Sequence, residues 1–176
     1  MGKKIFITGL PGSGKSSLVM EIIRELGVKV GGIVTPEIKD HDRMGFKIVD
    51  IASGRTGILS RVDFSGPRIG KYGVNVKDLE DIGVKAIERS INDPEIKLLV
   101  IDEIGTMEMV SEKFCSVVNR ALNSEKDCLM VLHRNLVNKY KNMGILFFLD
   151  RKNRAHIKRK IIELLERCGG RDFHFS

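Results

Sequence analysis

Gly9-Leu10-Pro11-Gly12-Ser13-Gly14-Lys15-Ser16 is the stretch on which the reading of this chain turns. It fits the spacing of a glycine, four free positions and Gly-Lys-Ser/Thr. An apolar run, Ile5-Phe6-Ile7, precedes it, and a helical pattern follows, with Leu18, Val19, Ile22, Ile23 and Leu26 on one face. A glycine-rich turn between strand and helix leaves backbone N–H groups free to close around an anion, and the helix dipole adds positive potential at the same place. Lys15 and Ser16 stand where a lysine reaches the β- and γ-phosphates and a hydroxyl reaches Mg²⁺. The octapeptide implies a bound nucleoside triphosphate, contacted by Gly9, Leu10, Pro11, Gly12, Ser13, Gly14, Lys15 and Ser16, with Lys15 also serving catalysis.

A second constellation lies downstream. Leu98-Leu99-Val100-Ile101 is a continuous apolar run of the kind buried on both faces of a parallel sheet, and it ends in Asp102-Glu103. At the carboxyl end of such a strand the first carboxylate holds Mg²⁺, usually through its water shell. Asp102 is the candidate for that role, together with Ser16. Glu103 is the candidate general base, placed to take a proton from water attacking the γ-phosphorus. Transition-state charge asks for a further cation. Arg134, Arg151 and Arg154 follow predicted strands and Arg68 lies in a predicted loop, so these four are the candidates. Asn153, Arg154 and Arg134 are the candidates for contact with the base or the phosphates.

Composition bounds the remaining classes. The 176 residues suffice for one domain, 1–176, and no Pro/Gly/Ser-rich linker divides them. No apolar run approaches membrane-spanning length, and Met-Gly-Lys-Lys leads into a core strand rather than a secretory signal, so a cytoplasmic location is expected. Cys115, Cys128 and Cys168 lie in apolar patterns and read as reduced thiols. His41, His133, His156 and His174 are scattered, so the expected metal is Mg²⁺ arriving with the nucleotide rather than an ion in a protein-built cage. The net charge of +7 suits a polyanionic ligand without requiring nucleic acid, which is not the expected partner. The basic run from Arg151 to Lys160 is pinned to the core by Ile157 and Ile161, so it reads mainly as a solvated helix face. The chain contains no glutamine, which excludes a hydrolase that orients water with its own glutamine. A monomer is expected.

Periodicity places the rest. Residues 28–60 read as an antiparallel meander inserted into the domain, with turns at Lys39-Asp40-His41-Asp42 and Ala52-Ser53-Gly54-Arg55. Residues 66–74 read as a loop or edge strand. One helix is predicted from about 76 to 91, capped by Asn75, a second over 111–123, and a last over 153–168. Strands are predicted at Cys128 to Leu132 and Ile145 to Leu149. The alternation predicts an α/β fold in three layers, a mostly parallel sheet with helices on both faces and the ligand beyond the carboxyl ends of the strands.

Several segments together resemble a known family, the small P-loop nucleoside triphosphatases first described from thermophiles, with a cancer-related vertebrate relative. The resemblance rests on residues 9–17, Gly32-Ile33-Val34-Thr35-Pro36-Glu37, Gly45 to Asp50 with Ser53-Gly54-Arg55, Gly70-Lys71-Tyr72-Gly73-Val74, and Ile101 to Glu108. It implies a RecA-like P-loop fold and Mg²⁺-dependent hydrolysis of ATP, GTP and other nucleoside triphosphates to diphosphate and phosphate. It also implies a second contact segment: Leu99, Val100, Ile101, Asp102, Glu103, Ile104, Gly105 and Thr106. One departure is visible: where the family commonly carries Thr-x-x-Asn-Arg and a polar residue, this chain has Asp150 at the threonine position and Ala155 at the polar one. Two other activities fit a phosphate loop of this size, transfer to a small molecule or nucleotide acceptor and a nucleotide-dependent RNA-binding switch. The chain's two tyrosines and eight phenylalanines form no cluster for base stacking, which speaks against the switch.

Overall fold

Alternate side chains along three short strands point into two different apolar cores, and this sets the layering. In the computed structural model, which describes residues 1–166, strand β1 (Lys4–Thr8) leads into the phosphate-loop segment and helix α1 (Lys15–Leu26) follows it. Strands β2 (Val30–Val34), β3 (Glu37–Asp40), β4 (Asp42–Asp50), β5 (Thr56–Arg61), β6 (Arg68–Ile69) and β7 (Tyr72–Val74) come next. Helix α2 (Val76–Asp78), a π-helical segment (Leu79–Val84) and helix α3 (Lys85–Asn92) then lead to β8 (Leu98–Ile104). The chain continues through α4 (Glu112–Leu122), β9 (Asp127–Leu132), α5 (Val137–Tyr140), β10 (Ile145–Phe148) and α6 (Arg154–Glu166). The predicted end of the last helix at Cys168 lies outside the described residues, as does His174.

The strands form one sheet in the order β10-β1-β9-β8-β2-β4-β5-β7-β6, with β3 paired to β4. From β10 to β2 every pairing is parallel, and from β2 outward every pairing is antiparallel. Ile5, Ile7, Leu98, Val100, Leu129 and Val131 face one core with α1 and α6, while Phe6, Leu99, Ile101, Met130 and Leu132 face the other with α3 and α4. Burial on both faces is why these strands read as continuous apolar runs. The result is the expected mixed α/β fold in three layers.

Two elements differ from their sequence reading. The residues over 28–60 are not all meander, because β2 lies parallel to β8 and belongs to the core sheet, with Ile33 opposite Ile101 and Val34 opposite Asp102. The antiparallel strands extend the sheet sideways from it. The helix predicted over 76–91 starts as expected, with Asn75 accepting from the Asp78 N–H, but its middle is the π-helical segment. The wider turn lies over the extension, where Gly83 packs so close to Ile48 that a Cβ there would come within 2.6 Å of its Cδ1.

Gly32 holds β2 against β8. Its φ is +102°, and a Cβ at this position would stand 1.9 Å from the Val100 carbonyl oxygen. Gly32→Ala therefore combines backbone strain with a collision against a core strand, and it is expected to cost about 3 kcal/mol or more. Thermal unfolding would register this as a lower Tm, and an unchanged Tm would remove the constraint.

Candidate nucleotide and catalytic site

The loop after β1 ends in a helix whose N-terminus is left open. Gly14 precedes α1 in the left-handed conformation, φ 88°, no side chain caps the helix, and its first turn carries no acidic residue. Free N–H groups and the dipole's positive end therefore face the loop interior. The Ser13 hydroxyl in this loop is buried without a hydrogen-bond partner among the described residues, as is that of Thr8 at the end of β1. Lys15 folds back over the loop, its Nζ donating to the Gly9 carbonyl at 2.9 Å and to the Leu10 carbonyl at 3.2 Å. Burial lowers its pKa, with Glu103 and Asp102 acting in the opposite direction.

Facing this loop is the end of β8. Residues adjacent in a regular strand point to opposite faces, yet Asp102 and Glu103 line the same cleft with Lys15 and Ser16. The reason is a register shift against β9 between Asp102 and Ile104, which leaves Glu103 as the extra residue of a bulge. The Thr35 hydroxyl donates to the Asp102 carbonyl at 2.9 Å, tying the end of β2 to this turn. Asp102 is buried, and desolvation pushes its carboxyl up to about 6 against the influence of the Ser16 hydroxyl, which favours the anion. Glu103 is raised by burial too, with Lys15 opposing.

The remaining sequence candidates separate clearly. Leu99, Val100, Ile101 and Ile104 have no exposed surface, so their side chains fill the cores and aim the strand rather than reach a ligand. Thr106 lines the cleft. Arg134 begins a short 3₁₀ turn after β9, and its charge acts on Lys15 and on His133. Arg68 instead donates to the Val62 and Phe64 carbonyls at 3.4 and 3.3 Å, holding its own loop. Arg154 is bound to Glu21 of α1 through two hydrogen bonds of 2.8 and 3.1 Å, and Lys158 pairs with Glu21 and Glu25, so part of the basic run fastens α6 to α1. Asn153 has both ends of its amide in use, accepting from the Asp150 N–H and donating to the Phe148 carbonyl. Asp150 accepts from the N–H groups of Lys152 and Asn153, the bonds a threonine hydroxyl could also accept at the start of a helix.

Glu108 and His133, to which no sequence signal assigns a role, also line this cleft. Glu108 is buried beside Gly105, where a Cβ would stand 2.7 Å from its Oε2 and 3.0 Å from Oε1 of Glu103. A glycine is thus what allows the two carboxyl groups to converge. Burial and the charge of Glu103 push the Glu108 carboxyl up to about 8, although the backbone N–H groups of Glu108 and Gly105 favour its anion. The cleft, about 730 Å³, continues past Met107 to Arg43, Phe46 and Tyr72 on the antiparallel extension. The wall positions scattered through 35–72 carry no periodic signal that would mark them as a common surface.

A glycine-rich loop at a helix N-terminus, set opposite two carboxylates at the end of a parallel strand, defines a P-loop α/β protein. The profile of the NTPase family matches residues 4–162, and the chain belongs to that family. It is 43% identical over 163 residues to nucleoside-triphosphatase THEP1 of Methanocaldococcus jannaschii, covering 90% of this chain and 95% of that protein. It is 41% identical over 170 residues to nucleoside-triphosphatase THEP1 of Thermotoga maritima, covering 93% and 95%. The crystal structure of THEP1 from Aquifex aeolicus superposes with a TM-score of 0.81 at 33% identity, covering 93% of this chain and 99% of that one. The solution structure of a human cancer-related nucleoside triphosphatase superposes with a TM-score of 0.77 at 29% identity, covering 94% and 98%. No helix among the described residues is long and apolar enough to cross a membrane.

The state of Glu108 has a measurable consequence. The folded protein keeps its proton up to about pH 8, while the unfolded chain releases it near 4.5. Between these values the unfolded state binds fewer protons, so stability falls as pH rises. Glu108→Gln removes that contribution. In metal-free protein the Tm of the wild type should drop between these two pH values by more than that of the variant, and equal slopes would mean a water-like environment for the carboxyl.

Proposed function

We propose that this chain hydrolyses nucleoside triphosphates to diphosphate and phosphate, with Lys15, Ser16, Asp102 and Glu103 as the working side chains. One observation carries the reading: the loop that ends in Lys15-Ser16 and the bulge that carries Asp102-Glu103 share one cleft. The two relatives and the human structural neighbour are nucleoside triphosphatases by name, which supports the same reaction class. The loop N–H groups and Lys15 hold the phosphates.

The donor set suits a hard divalent cation. The buried Asp102 carboxylate and the Ser16 hydroxyl supply oxygen ligands beside the phosphate loop, and burial leaves that carboxylate in want of positive charge. Ser16 and Asp102 would hold Mg²⁺, which when bound neutralises charge on the β- and γ-phosphate oxygens.

Glu103 takes a proton from the attacking water, the new bond forms at the γ-phosphorus, and the bond to the bridging oxygen of the β-phosphate breaks. The diphosphate leaves with that electron pair. A raised carboxyl pKa makes Glu103 a stronger base than a solvated glutamate, while Lys15 keeps it ionised. Arg134, at the start of the turn after β9 and next to the cleft-lining His133, is the cation assigned to transition-state charge. Asn153 and Arg154 are engaged in internal bonds, which fits a site that tolerates several bases.

Glu103→Gln should lower phosphate release about a hundredfold or more while the Kd for Mg²⁺-nucleotide changes little. Full activity in that variant would remove Glu103 as the base. Arg134→Ala should lower kcat about a hundredfold or more with binding retained. A variant in which only KM rose would make Arg134 a binding residue.

A further inference from the structure

Hydrolysis uses one end of the cleft. The other end is built on the antiparallel extension, from Pro36 in the turn between β2 and β3, from Glu37 and Lys39 on β3, and from β4 and β7. There the rings of Phe46 and Tyr72 meet edge to face, with centroids 5.6 Å apart and planes at 66°. Leu59 and Met107 add apolar surface. The Arg43 guanidinium lies 5.7 Å from the Phe46 ring centre and the Lys71 ammonium 5.5 Å from that of Tyr72. Lys39 is a third cation at this rim, and Glu37 pairs with both Lys39 and Arg43. Water needs neither aromatic walls nor surplus positive charge. A slot of this kind suits a flat heteroaromatic ring carrying an anionic group, which stacks on the rings and replaces Glu37 at the two cations.

Its position adds to this. The sheet runs from the phosphate loop after β1, through β9, to Asp102 and Glu103 on β8, and then through β2 to β4, β5 and β7. The aromatic chamber therefore lies beyond Glu103, on the side away from Asn153 and Arg154 at the start of α6. A ligand there faces the γ-phosphate end of a triphosphate held by Lys15, Ser16 and Asp102.

We infer that the chamber walled by Phe46 and Tyr72 is a phosphoryl-acceptor site for nucleoside monophosphates, and that the chain transfers the γ-phosphoryl group to them in competition with water. The inference rests on the triphosphate reading of the phosphate loop. An acceptor oxygen forms the new bond at the γ-phosphorus as the bond to the β-bridging oxygen breaks, and the donor leaves as diphosphate with that electron pair. A sugar hydroxyl gives its proton to Glu103. A monophosphate oxygen brings no proton, and the product is then a second diphosphate.

The test incubates the full chain with Mg²⁺ and γ-labelled ATP plus each common nucleoside monophosphate in turn, and separates labelled products from free phosphate. Product identity distinguishes the two acceptor oxygens, a bisphosphate for a hydroxyl and a diphosphate for a phosphate oxygen. In parallel, monophosphate Kd is measured on protein holding a non-hydrolysable Mg²⁺-triphosphate analogue, for the wild type and for Phe46→Ala, Tyr72→Leu and Arg43→Ala. At least one monophosphate should become labelled while free phosphate falls, and each substitution should weaken its binding about tenfold or more. Failure of every monophosphate to bind or to become labelled at millimolar concentration would overturn the inference. So would variants that raise KM for ATP but not for inorganic tripolyphosphate, because the chamber would then hold the donor's own base. Monophosphate binding to analogue-loaded Glu103→Gln reads the chamber apart from hydrolysis: retained binding supports it, and lost binding with the fold intact overturns it, whatever that variant does to phosphate release.

Discussion

Strand β8 is gripped on both sides, paired in parallel with β9 and with β2, and its side chains are buried on both faces. This double pairing allows the strand no freedom to slide or rotate, so the two carboxylates at its end are fixed relative to the loop after β1. The Gly32 backbone approaches Val100 where no other residue fits, and the Thr35 hydroxyl anchors the far end to the Asp102 carbonyl. A phosphate loop alone is an anion trap. Held at a set distance from two buried carboxylates, it becomes a cleft in which, on the proposed function, a phosphate bond faces a base.

The cleft stores unfavourable electrostatics in the same place. Asp102, Glu103 and Glu108 are three carboxyl groups lining one cleft and all raised by burial, while Lys15 is lowered by it. Each departs from its ordinary value in the direction that a bound cation or triphosphate would relieve. Destabilised charge of this kind is the common mark of a working site rather than of a structural ion pair. The contrast is Asp50, also buried, whose carboxyl is lowered because the bonds from Arg89 and Ser53 outweigh its desolvation, and whose task is to hold the extension to α3.

Much of this is legible along the chain because it is local. A glycine spacing between a strand and a helix, an apolar run ending in two acids, and a capping asparagine or serine each need only a few neighbours to be recognised. The π-helical segment at Leu79–Val84 is not legible, since its apolar positions read equally well as a single α-helix and the wider turn reflects packing over Ile48. Val30–Val34 could not be assigned to the parallel core from its own residues, because the partner that makes it parallel, Leu98–Asp102, lies in a distant part of the chain. The fate of Asn153 and Arg154 is likewise hidden. Their residue types suit ligand contact, and only the fold brings up the groups that engage them instead, the Phe148 carbonyl for Asn153 and the Glu21 carboxylate for Arg154.

By itself the sequence pointed to the ligand class, the layered α/β plan and the residues proposed to meet the phosphates, since these follow from short-range spacing and from strands apolar on both faces. Tertiary structure alone decided which side chains share the cleft. A regular strand would have turned Glu103 away from Asp102, and the bulge against β9 turns it back. Residues from β3, β4, β5 and β7 reach the same space only because one sheet continues past its parallel core. Periodicity reports which face of an element is apolar, whereas convergence of distant polar and aromatic groups depends on register and pairing, which no local pattern encodes.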